Sequence, residues 1–360
     1  MTIFDTIEDQ DVPIRLIGNF VMRKRVPNAL LFWGPSGVGK GLTAITLAKV
    51  LMSPEEEGAA ESLAVRKIDH GNHPDLHILS PVKKSRIIDV DAIDFIIEFA
   101  SLHPIEADRR VFIIHEADRM RAPAQNHLLK TLEEPLGKSL FILITEHPQL
   151  LLPTIRSRCQ RVRFGRLRAK TVKEILLRDR DVSPEQAEAV ASVAEGQMTR
   201  AFDLIDSDKR DVVLDVVRRL SEGEDPMAVS EEFSKYIASQ KNQFAAAVKA
   251  ASDSAGSPEL THEDRDRLKD EQAALVDALC RRDIMEMLYL MEVWYRDVLV
   301  YSATGNAEFV LNKDQMALLE SAGVSDPDAN IGAVEKSRRY LERFLNEERV
   351  FRDLFFALAN

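Results

Sequence analysis

Hydrophobic positions follow two different rhythms along the chain. Up to about residue 165, short apolar runs recur at Ala29–Trp33, Leu76–Leu79, 111–114 and 140–145. Helical patterns lie between them, as in Lys40–Met52 and Val90–Ser101. Strands alternating with helices predict a parallel sheet covered by helices on both faces. Residues 166–207 read as small helices. Ser183-Pro184-Glu185-Gln186 supplies an N-cap, a proline at the first helical position and a capping-box glutamine. That helix should stop at Gly196, and another should begin near Met198. Beyond residue 208 no strand pattern occurs. Segments 211–220, 226–250, 265–303 and 331–358 carry apolar residues at three- and four-residue spacing and read as helices. Residues 252–261, rich in Ser, Gly, Pro and Asp, read as an exposed loop, and Glu55-Glu56-Glu57 as a solvated one. There are no internal repeats. The expectation is an α/β protein in three parts: a sheet core over 1–165, a small helical domain over 166–207 and an all-helical domain over 208–360.

Composition narrows the function. The 360 residues are 45% hydrophobic and 30% charged, ordinary for a globular protein. A formal net charge of −11 argues against a stand-alone nucleic-acid binder, while leaving room for a local patch within a larger assembly. No run of 18 apolar residues marks a membrane span, and the start Met1-Thr2-Ile3-Phe4-Asp5 carries no basic leader, so a cytoplasmic protein without membrane contact is expected. Cys159 and Cys280 are the only cysteines, too few for a disulfide framework.

The chemistry concentrates in one motif. Gly34-Pro35-Ser36-Gly37-Val38-Gly39-Lys40 follows the first strand and opens a helix, the setting of a phosphate-binding P-loop. In such a loop backbone N–H groups cradle phosphate, the lysine reaches the outer phosphates, and a Ser or Thr after the lysine holds Mg²⁺. Here that position is Gly41, which offers no ligand. Thr43 lies about 200° further around the helix and cannot stand in. The second metal ligand of a P-loop site is an Asp at the end of a Walker B strand. The candidate strand 111–114 runs into His115-Glu116-Ala117-Asp118, so an imidazole stands where the carboxylate should be. Mg²⁺ prefers oxygen. Glu116 takes the place of a water-activating carboxylate. Two ligands lost at positions that the sequence treats as independent argue for a fold retained and a hydrolysis abandoned.

Several further segments converge in order and spacing. Pro27-Asn28-Ala29-Leu30-Leu31-Phe32 leads into the P-loop. Gly71-Asn72-His73-Pro74-Asp75-Leu76 precedes the second strand. Asn126-His127-Leu128-Leu129-Lys130-Thr131-Leu132-Glu133-Glu134-Pro135 follows Walker B, and Leu152-Pro153-Thr154-Ile155-Arg156-Ser157-Arg158-Cys159 follows next. Together they resemble the clamp-loader family of AAA+ proteins, densely through residue 205. In the helical tail the resemblance rests on Trp294-Tyr295-Arg296-Asp297 and the terminal helix.

The resemblance implies an AAA+ core, a helical lid and a helical collar. It also implies a division of labour between motor subunits that hydrolyse ATP and a rigid ring member that does not. The Ser-Arg-Cys arginine, Arg158, is implied to reach across an interface into a neighbour's ATP site. The motif follows a sheet strand by a short connection; a structural arginine at a helix start is the plainer alternative. Arg200 matches the lid arginine of the family, and a helix-surface arginine is its alternative. Glu146 falls where many relatives place a polar γ-phosphate sensor, and a carboxylate there would repel phosphate. Cys159 reads as a small core residue. Gly34, Gly37, Gly39, Lys40 and Arg200 form a nucleotide site that requires no cofactor; binding without turnover stays open. Many relatives carry a four-cysteine zinc module after the P-loop helix, but residues 53–69 hold no cysteine, so His70, His73 and His77 are not expected to bind zinc. Implied partners are the motor subunits and delta of a hetero-pentameric loader, the sliding clamp and primed DNA. Two alternatives remain: an ATP-hydrolysing motor subunit, and a P-loop nucleotide-binding regulator outside replication.

Overall fold

A computed structural model describes residues 4, 6–53, 62–81, 87–134, 137–254, 262–343 and 345–359. Glu55-Glu56-Glu57, Pro135 and most of the 252–261 segment lie outside the described residues. The chain divides into two compact units, Met1–Val172 with Glu195–Arg200, and Lys173–Ala194 with Ala201–Asn360. Residues 166–207 are thereby shared between the two.

The first unit is built on five parallel strands, β1 (Ala29–Trp33), β2 (Leu76–Leu79), β3 (Arg110–Ile114), β4 (Ser139–Thr145) and β5 (Gln160–Arg163), in the order β2-β3-β4-β1-β5. Around them lie α1 (Asp11–Met22), α2 (Lys40–Met52), α3 (Leu63–Asp69), α4 (Val90–Ser101), α5 (Ala122–Glu133) and α6 (Pro153–Arg158). Side chains alternate across a strand, so each central strand feeds two cores. Leu31, Phe112, Ile114, Phe141 and Leu143 point to one face, against Ile93 and Ile96 of α4 and Leu128 of α5. Leu30, Phe32, Val111, Ile113, Leu140 and Ile142 point to the other, against Ile17 of α1 and Ala44 and Leu47 of α2. Being buried on both faces explains why these strands read as continuous apolar runs. The edge strand β5 is missing from the sequence reading. Its Gln-Arg-Val-Arg stretch buries Val162 alone, so it lacks an apolar run.

A buried carboxylate organises the turn before β3. Asp75 accepts backbone N–H bonds from Ile105 (2.8 Å), Glu106 (2.8 Å) and Ala107 (2.9 Å), and lies 3.4 Å from Arg110 Nε. The Arg110 guanidinium, also buried, donates to the carbonyls of Phe99 and His103. His73 accepts the Asp75 N–H on Nδ1 at 3.2 Å, whereas His70 is exposed.

The second unit is helical. It contains α8 (Pro184–Val193), α10 (Lys209–Ser221), α11 (Pro226–Ser254), α12 (His262–Thr304), α13 (Met316–Ser321), α14 (Pro327–Glu342) and α15 (Glu347–Leu358). Two more helices, α7 (Ala169–Asp179) and α9 (Met198–Asp206), begin among residues of the first unit. Ser183 caps α8 through a 3.1 Å bond from the Gln186 N–H. The helix expected over 331–358 is two helices. Asp326 caps the first, Pro327 opens it, and Asn346 caps the second by accepting from Arg349 N–H at 3.0 Å. Phe233 of α11 meets Phe351 and Phe355 of α15 edge-on at 5.0 and 5.2 Å. Asp297, fully buried, accepts the N–H groups of Leu311 and Asn312, which ties the Trp-Tyr-Arg-Asp segment of α12 to the following turn. Among the described residues no helix is long and apolar enough to cross a membrane.

One half-buried imidazole makes the first unit sensitive to acid. His77 on β2 stacks on Phe112 at 5.2 Å, and its Nε2 is buried without a hydrogen-bond partner among the described residues. Burial, and then the Arg110 charge, lower its pKa below the ordinary 6.5, against a smaller opposing pull from Asp75. The unfolded chain therefore binds this proton more readily, and stability is lost as pH falls below the ordinary value. His77→Phe should be more stable than the parent by about 1 kcal/mol at pH 5.5, with a narrower gap at pH 8. Urea unfolding at the two pH values checks this; an equal gap at both would show that the ring does not titrate as described.

Candidate functional site

The P-loop spans the turn between β1 and α2, at the carboxyl ends of the strands. Gly34 sits at φ +146°, and a Cβ there would lie 2.3 Å from the Phe164 carbonyl oxygen, so only glycine passes. Gly37, at φ +65°, is equally constrained, since a Cβ would come within 2.7 Å of the Thr199 nitrogen. Its own carbonyl accepts the Met198 N–H at 2.9 Å. The first turn of α9, which carries Arg200, is thus fastened directly to the loop. Arg200 is half-buried and engaged in interactions of its own. Gly39 takes a left-handed conformation as the N-cap of α2.

Lys40 is turned inward. Its Nζ donates to the Gly34 carbonyl at 2.8 Å and also to that of Pro35. Burial lowers its pKa, opposed by the negative charges of Glu146 and Asp118. Glu146 is exposed just beyond β4. Asp118 accepts a hydrogen bond from Thr145 Oγ1, which in turn accepts the His147 N–H at 2.9 Å. Thr43 Oγ1 is spent on the Gly39 carbonyl at 2.8 Å.

Gly41 and His115 are neighbours in space. A Cβ on Gly41 would lie 3.2 Å from Cε1 of His115. Positions that the sequence treats as independent are therefore one packing unit: the imidazole fills the space into which a Ser or Thr side chain would project. Burial, and more weakly Lys40, lower the His115 pKa against an opposing Glu116, which favours the neutral ring at pH 7. A neutral imidazole beside a bare glycine does not fit Mg²⁺.

Arg158 stands elsewhere. It is the last residue of α6 rather than a residue at a helix start, and it leads into β5, not out of β4 by a short connection. Its Nη2 lies 2.6 Å from Glu133 Oε1 at the end of α5, with side chains 39% and 45% exposed. Cys159 is buried in the sheet core, and burial pushes its thiol up to about 12. Sequence reasoning missed Glu133, which lies inside a quoted motif but pairs across 25 positions of chain.

Residues 10–168 match the family model described as "DNA polymerase III, delta subunit". The delta' subunit of DNA polymerase III from Bacillus subtilis is 38% identical over 188 residues, 50% of this chain and 54% of that protein. The delta' subunit of Pseudomonas aeruginosa is 36% identical over 140 residues, 38% and 43% of the two chains. Over this segment the chain is similar to DNA polymerase III delta-prime subunits. A tau subunit of Bacillus subtilis is also similar, 31% identical over 211 residues, 56% of this chain and 37% of that one. The chain spans about half or less of the length of these relatives. The matched segment covers all five strands, the P-loop and Arg158.

Two outcomes follow for this site. Purified protein should release no phosphate from ATP above background; activity that disappears in Lys40→Ala would contradict it. Gly41→Thr should cost about 1–3 kcal/mol of stability by overpacking. His115→Ala should recover most of that loss in the double variant, whereas additive losses in urea unfolding would show that the two positions do not interact.

Proposed function

We propose that this chain is the non-hydrolysing delta-prime subunit of a bacterial clamp loader, a cytoplasmic ring member that lends Arg158 to a neighbour's ATP site. Its partners are the motor subunits and delta, and through them the sliding clamp and primed DNA. Residues 166–207 serve as the lid and 208–360 as the collar by which the ring assembles. No nucleotide is required at Lys40 for this role, and no zinc.

The observation that carries the reading is the packing of His115 into the place of the missing hydroxyl at position 41. A ring crowding a position that carries no hydroxyl disfavours the motor reading. At the same time a half-exposed guanidinium stands outside that site. An always-charged planar fork suits phosphate oxygens and needs no nucleotide of its own. The regulator reading leaves this arginine without a use.

Arg158→Ala should leave the chain folded and able to assemble with the motor subunits and delta, yet lower clamp- and primer-stimulated ATP hydrolysis. The one site it serves should lose on the order of 10³-fold, and total turnover should fall by that site's share. Arg158→Lys should rescue poorly, because a point charge does not reproduce the fork. Unchanged turnover in a fully assembled Arg158→Ala complex, with stoichiometry confirmed by native mass spectrometry, refutes the role.

A further inference from the structure

We infer that Glu133 is a positioning residue for Arg158, a role that rests on the function proposed above. Arg158 ends a helix of six residues, and its long side chain is only half covered. Glu133 is the partner the structure records for it, at 2.6 Å. The contact engages Nη2, one of the nitrogens of a five-donor fork on a side chain that is 39% exposed.

Helix energetics do not account for an acid at this place. Glu133 occupies the last turn of α5, where the negative end of the helix dipole disfavours a carboxylate. A residue that opposes its local rule is where a second role is to be sought.

The mount beneath it is fixed. Ala124, Leu128 and Leu132 anchor α5 in the sheet core. Near its start, Gln125 donates to the Met120 carbonyl at 2.9 Å and accepts the Leu152 N–H at 2.7 Å. Leu152 is the N-cap of α6. The two helices are therefore joined at their beginnings by a buried amide and at their ends by the ion pair. An exposed pair of this kind is individually weak, so it can orient the guanidinium without burying it.

Two measurements on the full chain test this. The first is ¹⁵N relaxation of the Arg158 Nε–H group in the isolated protein. The parent should be ordered, and Glu133→Ala should lower the order parameter to below about 0.6. The second is stimulated ATP turnover in the loader reconstituted with its motor subunits and delta. Glu133→Ala should lower turnover at saturating ATP by about tenfold at the site that Arg158 serves, with KM and assembly unchanged. Glu133→Gln keeps an acceptor oxygen and should lose less. In an Arg158→Ala background, Glu133→Ala should cost nothing further. Unaltered Arg158 order in Glu133→Ala overturns the inference. So does a turnover loss that persists without Arg158, or a gain in turnover, which would make the carboxylate a restraint. Normal turnover in Arg158→Ala alone sinks the finger proposal instead, and the relaxation measurement then decides whether Glu133 orders the side chain.

Discussion

Because β1, β3 and β4 are hydrogen-bonded along both edges and buried on both faces, every connection in the first unit must leave and re-enter at the strand ends. That constraint places the P-loop after β1, the His115 segment after β3 and Glu146 after β4 at one rim of the sheet. It also explains how Lys40, from the start of α2, comes under the influence of Glu146 and Asp118, more than seventy positions away. The chemistry at this rim is a product of sheet topology, with side chains chosen within it.

Within that frame, the bare Gly41 and the ring of His115 share one space. An imidazole is wider than a carboxylate and uses the room a hydroxyl-bearing side chain would fill. A change at either position alters what the other tolerates, so a side chain at position 41 and the imidazole at 115 compete for the same room. Lys40 adds to this by bonding to carbonyls of its own loop, and the Met198 amide by bonding to Gly37.

The sheet and its P-loop were legible because buried parallel strands leave long apolar runs and the glycines leave a fixed spacing. β5 was not, since an edge strand needs only one inward residue, and Val162 leaves no pattern. The break between α14 and α15 was marked by Asn346, a capping residue that a purely periodic reading passes over. Gly41 and His115 were legible as identities, but their contact was not, because 74 positions of chain separate them. Glu133 escaped for the same reason: a cross-helix ion pair leaves no spacing signal. What chain order encodes is local geometry, and what it hides is which distant residues meet.

Burial of the two thiols has a consequence for how this protein can be observed. With a pKa raised to about 12, Cys159 is almost never a thiolate at neutral pH, and Cys280, at about 11, differs little. Each lies in the interior of a different unit. Alkylating reagents therefore reach them only in molecules whose interior has transiently opened. The chain carries one built-in reporter of breathing motion in the sheet core and a separate one among the C-terminal helices, with no engineered label required.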